Sequence, residues 1–355
     1  MAKSIREANL EYDGGLPFVA SNRGSPIRVA VIGAGISGLI CARALAAHGV
    51  SVAIFEKSGG VGGRMATRRT NDGLSFDHGA QYFTVSDSSF GKCVQAWRKE
   101  GLIEKWNGRI RVLRQGRIES CNNDKRRFVG IPAMTSICKY LATDLDVHLC
   151  QEIASLRSIG KSWRPIDKMG KSQGTFDCVI VAIPSAQAAR FLEPIPELAK
   201  LAERIEMQPC WTVMAVFDQP LPVDCDGAFV NDSILSWVAR NSSKPARSRS
   251  KDCWVLHGSV NWSQENFQIA DEEVKAVLLD EFWRVTDLRP FTPSSIDVHR
   301  WRYAKPLAPL DNRCLFDAIS GLGACGDWCL EPRVQGAFLS GCDVAKRVLH
   351  ATGLV

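Results

Sequence analysis

Two hydrophobic patterns share this chain. In the first, short unbroken apolar runs are each followed by a turn and a helical segment. Arg28–Ile32 is such a run and predicts a buried strand. A helix then runs from the next turn to His48, with Gly49 as its cap, and Val50–Phe55 predicts a second strand. In the second pattern, segments alternate or carry β-branched and aromatic residues. Trp211–Phe217, Ile234–Ala239, Trp254–Val260 and Ile296–Tyr303 read in this way as an antiparallel sheet. The span Asp271–Val285 reads as an amphipathic helix with Val274, Val277, Leu278 and Phe282 on one side. The patterns interleave. The strand–helix alternation of 27–90, 128–190 and 310–355 suits a parallel sheet with right-handed crossovers. The pieces 91–127 and 191–309 would form the second domain.

The turn after the first strand is Gly33-Ala34-Gly35-Ile36-Ser37-Gly38. Gly33 permits the tight turn, Gly35 lets backbone approach a pyrophosphate, and Gly38 lets helix pack on strand. Glu56 ends the second strand, 23 residues beyond Gly33, where it can accept hydrogen bonds from ribose hydroxyls. Three glycines alone are weak evidence. Here Ala42, Gly49 and Glu56 follow at the small-residue, glycine and acid positions of the full fingerprint. Glu56 also disfavours a phosphate on that ribose, so the choice lies between NAD and FAD.

A second glycine cluster, Gly59-Gly60-Val61-Gly62-Gly63-Arg64-Met65, follows at once. It lets backbone lie along a long cofactor, and Arg64 can neutralise pyrophosphate. Joined to the first motif, this pattern resembles the renalase and amine oxidase families of flavoproteins. The resemblance continues in order through Asp77–Thr84, Phe128–Met134, Phe176–Pro184, Val298–Ala304, Gly326–Cys329 and Val334–Ala337. It spans roughly residues 27–350 and is closest to bacterial renalase-like proteins. It implies an α/β fold in which a Rossmann-like FAD-binding domain is interleaved with an α+β substrate domain on an antiparallel sheet. It also implies non-covalent FAD held by Gly33, Gly35, Ile36, Ser37, Gly38, Glu56, Lys57, Gly63, Arg64, Met65, Gly79, Ala80, Gln81, Tyr82, Ile153, Gly326, Asp327, Val334 and Gly336.

The closing motif makes physical sense beside that resemblance. Asp327 can accept from a ribityl hydroxyl. A helix starting near Val334 would aim its positive end at the flavin edge that gains charge on reduction. Substrate-pocket candidates are Tyr82, His78, His299, Trp301 and Tyr303. The aromatic rings could stack a planar substrate, although core packing is their ordinary role. For each histidine a hydrogen-bonded structural role is the simpler reading, because nothing nearby forms a nucleophile or metal set. Lys305, next to Pro306, reads as a solvated loop lysine.

The chain has 355 residues, 45% of them hydrophobic, enough for two domains with their own cores. A net charge of +6 calls for neither nucleic acid nor membrane, and no apolar run approaches the roughly 18 residues of a span. Thirteen cysteines are scattered without a Cys-x-x-Cys pair or metal-ligand spacing. They read as reduced thiols in a reducing compartment, the cytoplasm. Residues 1–26 are polar, lack the apolar core of a secretory signal, and read as a mobile tail. The loop Ser242–Lys251 carries Lys244, Arg247, Arg249 and Lys251 without an acid; it reads as a solvated hairpin tip or, more sharply, a basic rim for substrate phosphates.

Three functions follow as expectations. In the first, FAD takes hydride from a dihydronicotinamide, an isomeric NAD(P)H, and O2 takes the electrons as H2O2. In the second, the donor is a small amine or other apolar molecule. In the third, the protein binds flavin without turnover. Fold cannot separate the first two.

Overall fold

The computed structural model describes residues 26–114, 116–121 and 125–355. The segment read as a mobile tail lies outside the described residues, apart from Pro26. A six-stranded sheet carries the first hydrophobic pattern. Its order is Leu315–Asp317, Leu322–Ala324, Cys178–Val181, Arg28–Ile32, Ser51–Phe55, Asp146–His148. All neighbours are parallel except the first pair. The central strands are buried on both faces, which is why they read as continuous apolar runs. Helices Ile36–Ala46 and Val334–Ala351 lie on one face with Thr135–Ala142, over a core that includes Leu39, Ile54, Ile137 and Val348. The first and last of these chain helices approach at backbone contact: a side chain at Gly341 would meet Ser37 O at 2.3 Å.

The second pattern forms a seven-stranded sheet, in the order Ser295–Pro306, Met207–Phe217, Asp252–Gly258, Leu235–Arg240, Gly227–Asn231, Ile110–Arg114, Arg117–Ser120. One pairing, Gly227–Asn231 with Ile110–Arg114, is parallel. Helix Asp271–Thr286 covers one face, packing Val274, Leu278 and Phe282 on Trp211, Trp254 and Leu256. Val277, expected on that stripe, is only half-buried.

Three expectations shift. The strand expected over Trp254–Val260 stops at Gly258, because Ser259 caps helix Val260–Glu265 through Trp262 N–H. Lys305 lies in a strand, paired with Gln208, although its side chain is exposed as expected. Pro306 is tolerated there because this is an edge strand. The 91–127 piece divides. Helix Ser88–Lys99 and strand Ile103–Lys105 pack with the six-stranded sheet's core, where Phe90 meets Phe338 at 4.9 Å between ring centres. Among the described residues of this piece, only Ile110–Arg114 and Arg117–Ser120 join the large sheet. Residues 191–205 likewise pack beneath the six-stranded sheet, through Leu192, Ala199 and Ala202.

Candidate active site

The two glycine clusters lie side by side at the carboxyl ends of the parallel strands. Gly33 N–H donates to Phe55 O (2.8 Å), Gly62 N–H donates to Ala34 O (2.9 Å), and Gly35 bridges Gly62. A side chain at Gly33 would meet Ala182 O at 2.6 Å, and one at Gly38 would meet Gly33 O at 2.2 Å. At Gly35 it would meet no protein atom within 4 Å. Packing therefore demands glycine at 33 and 38 but not at 35. The open side of Gly35, with the first-turn N–H groups of Ile36, Ser37 and Gly38 beginning the helix there, fits a pyrophosphate. Glu56 is buried at the next strand end. Its Oε2 accepts from Ala34 N–H and its Oε1 from Ser58 N–H, both at 2.8 Å, leaving each oxygen a further lone pair for a ribose hydroxyl. Lys57 beside it is exposed. Ile153 is buried with Phe55 and Phe176 in the core beneath this sheet.

Gly63 and Met65 form a short 3-10 turn, with Met65 buried. Arg64 grips Asp327 with two hydrogen bonds of 2.7 Å and also donates to Ala304 O (3.2 Å). The guanidinium and carboxylate read from sequence as serving different parts of FAD thus face one another. This pair joins the second glycine cluster, the closing motif and the substrate-side strand Ser295–Pro306. Gly326 N–H donates to Ser340 Oγ (3.0 Å), which ties the closing motif to helix Val334–Ala351. Gly336 has a packing reason to be glycine: a side chain there would meet Glu331 O at 2.2 Å. Gly79 lies against Arg64 O, to which Ala80 N–H donates (2.9 Å).

The segment His78–Tyr82 runs along the large sheet's other face. Strand register sets His299, Thr212, His257, Trp237 and Phe229 side by side in one row across five strands. His78 packs edge-on against His299 (4.9 Å) and stacks on Trp301 (4.9 Å). Its carbonyl accepts from His257 Nε2–H and Trp301 Nε1–H, both at 3.1 Å. Tyr82 meets Trp237 at 5.5 Å. The candidates His78, His299 and Trp301 therefore form one cluster, and Tyr82 lies along the row from it. Tyr303 is half-buried on the same strand as Trp301. Burial is the main cause that keeps these histidines neutral; the charge of Arg68 adds to it at His78 and His299, and that of Lys244 at His257. His78 is pushed down to about 3 and His257 to about 4, and His299 is lowered too.

The basic loop is not a solvated tip. Lys244 and Arg247 point inward and are buried on Asp77, at 3.3 and 2.6 Å. Asp77 Oδ1 also accepts from Thr67 Oγ1–H (2.8 Å) and Met134 N–H (3.0 Å). Burial would raise the Asp77 carboxyl, but Lys244, Arg247 and the Met134 N–H outweigh it and bring it to about 2. Burial lowers Lys244 to about 8; the attraction of Asp77 offsets part of this and the repulsion of Arg247 adds to it. Lys244 also donates to Gln81 Oε1 (3.2 Å), and Gln81 Nε2–H donates to Asp77 O, so the Gln81 amide is fixed at both ends. Arg249 stays exposed, and Lys251 pairs with Asp218. Sequence reasoning missed His257 and the buried pairing of Asp77 with Lys244 and Arg247. The available signals were an acid between Phe76 and His78, and a lysine set tightly between Ser242-Ser243 and Pro245.

The parallel sheet, the double glycine turn and the acid at the second strand end define a dinucleotide-binding oxidoreductase fold. Residues 31–97 match the family described as NAD(P)-binding Rossmann-like domain, and residues 119–349 match that of flavin containing amine oxidoreductase. The second match covers more than half of the chain, which therefore belongs to the flavin-containing amine oxidoreductase family. Mitochondrial protoporphyrinogen oxidase of Nicotiana tabacum is 48% identical over 78 residues, 22% of this chain and 15% of that protein. The match thus spans well under two thirds of that relative's length. Cyclohexylamine oxidase from Brevibacterium oxydans IH-35A shares the fold, with a TM-score of 0.71 at 12% identity over 91% of this chain and 99% of that one. Putrescine oxidase bound to putrescine does so with a TM-score of 0.66 at 14% identity, over 92% and 100%. Among the described residues, no helix is long and apolar enough to cross a membrane.

Proposed function

We propose that this protein is a renalase-like oxidase that takes hydride from a dihydronicotinamide, an isomeric form of NAD(P)H. The observation that carries the reading is the neutrality of the histidines on the substrate-side sheet. Lowered by burial to about 3 and about 4, His78 and His257 are neutral near pH 7 and weak as bases. A dihydronicotinamide needs no such base, because its ring nitrogen lone pair expels the hydride and an aromatic cation results. Bound FAD supplies the hydride acceptor and passes the electrons to O2, giving H2O2. What this chain contributes is positioning. Gly35 and the first helix turn would hold the pyrophosphate, Glu56 the adenosine ribose, and Arg64 with Asp327 the next stretch of the cofactor. Gly79–Tyr82 and Trp301 would then border the ring end. Buried His78 with half-buried His299 and Trp301 forms a polar and aromatic wall suited to a nicotinamide and its carboxamide. In this reading 27–90, 128–190 and 310–355, together with the segments 91–105 and 191–205 packed on them, form the FAD-binding domain, and the large sheet bears the substrate. Among the described residues no cysteine is in a disulfide, which suits a reducing compartment such as the cytoplasm.

A small amine is the second reading, favoured by the family match and by the likeness to two amine oxidase folds. Anaerobic mixing with α-, β- and isomeric dihydronicotinamides and with amines decides between them. The expected result is fast flavin bleaching by one dihydronicotinamide isomer. Bleaching by amines alone would overturn the first reading, and bleaching by no donor would favour a non-catalytic flavin protein.

A further inference from the structure

The Asp77 centre holds more charge than the fold requires. Lys244 and Asp77 have no exposed side-chain surface and Arg247 has 1%, so two cations share one carboxylate out of reach of water. Both carboxylate oxygens are fully engaged, Oδ1 by Thr67 and Met134, and Oδ2 by Lys244 and Arg247. Asp77 and Arg247 alone would make a balanced pair. The extra ammonium is a desolvated charge without its own counter-ion, which is costly unless an anion comes to meet it. An uncharged side chain of the same length could fill the space. The surplus charge is held beside Gln81 and over the Trp106 ring (5.6 Å). Gly79 of the same segment abuts Arg64, which grips Asp327.

We propose that Lys244 is a positioning residue whose unmatched positive charge is the counter-charge for the negative charge FAD acquires on reduction. Resting on the cofactor orientation proposed above, the Asp77–Gln81 segment carries this charge to the ring end of FAD. Arg247 neutralises Asp77, and Lys244 locks the Gln81 amide while leaving its own charge uncancelled. The reduced cofactor is thereby favoured over the oxidised one by a through-space interaction strengthened by the dry surroundings. The charged and titratable groups around Lys244 are Asp77, Arg247 and the neutral His257.

The test is the midpoint potential of protein-bound FAD, measured by reductive titration with dithionite against a reference dye. Reduction adds two electrons and one proton to the flavin and leaves one negative charge. Replacing Lys244 with Met should lower the equilibrium constant for reduction by at least about tenfold, a fall of about 30 mV for a two-electron couple. Lys244→Arg should restore most of it. A Lys244→Met protein that keeps FAD and has an unchanged potential overturns the proposal. The wild-type protein gives a second arm that needs no variant. Because Lys244 sits near 8, the charge on reduced FAD should draw a proton back to it. The protons taken up per two electrons, read from potential against pH, should therefore rise above one just above pH 8. A constant one-proton slope through that range also overturns it. Neither measurement uses a substrate. Failure with every dihydronicotinamide would thus sink the substrate reading alone, and an unchanged potential would sink this inference alone.

Discussion

Replacing Asp77 with Asn tests whether the buried centre is held by its one carboxylate. The substitution keeps the shape of the side chain and removes the charge facing Lys244 and Arg247. Two buried cations are then left together, and removing one partner of a buried pair typically costs about 3–5 kcal/mol. The pH dependence gives an independent magnitude. The carboxyl falls from 3.8 to about 2, and at 1.36 kcal/mol per unit this is about 2 kcal/mol. A depressed acid contributes stability in full above its unfolded value, near 4, and loses it as pH falls through its folded value, near 2. The wild-type protein should show this acid limb and Asp77→Asn should lack it. Lys244→Met should behave differently, because it leaves Asp77 balanced by Arg247 and relieves a desolvated charge. Its cost should stay within about 1 kcal/mol. Scanning fluorimetry at pH 7 and at stepped acid pH reads both. The Tm of Asp77→Asn should fall by several degrees and that of Lys244→Met by about one or two. A Lys244→Met protein as unstable as Asp77→Asn would refute the charge accounting, since packing would then dominate.

Gly35→Val should abolish FAD binding while leaving the Tm of the apoprotein nearly unchanged, because the new side chain meets no protein atom but fills the cradle; equal flavin content in both proteins would refute the cradle. Arg64→Ala should weaken FAD retention, since it also leaves the nearly buried Asp327 without its partner; an unchanged FAD dissociation constant would remove Arg64 from the cofactor site. Lys305→Met and His78→Asn should each change the reductive half-reaction with a dihydronicotinamide by less than about tenfold, roughly 1.4 kcal/mol in barrier. Stopped-flow bleaching measures this, and a thousandfold loss with FAD retained would move the reading to amine oxidation.

What could be read from the sequence was local, and what escaped was long-range. The glycine turn, Glu56 and the two strands lie within 29 residues, so their spacing reports their geometry. The helix expected near Val334 rested on the closing motif Gly326–Cys329 and Val334–Ala337, and it runs over Val334–Ala351. Arg64 and Asp327 were each recognised as site residues, but their mutual pairing spans 263 positions, and no spacing rule reaches so far. Lys244 shows the same limit more sharply. Its loop contains four cations and no acid, so local charge counting makes it a solvated tip. The compensating carboxylate, Asp77, lies 167 residues earlier, on a segment delivered by the other sheet's connections. Burial is decided by that tertiary meeting. The inward turn at Lys244 follows from Asn241, whose side chain accepts from Asp77 N–H and donates to Ser75 O, pinning the loop's entry to the segment it must meet. The chemistry of both partners was visible in the sequence. Only the fold brought them together, and in doing so it turned an apparent surface charge into a buried one that the cofactor must answer.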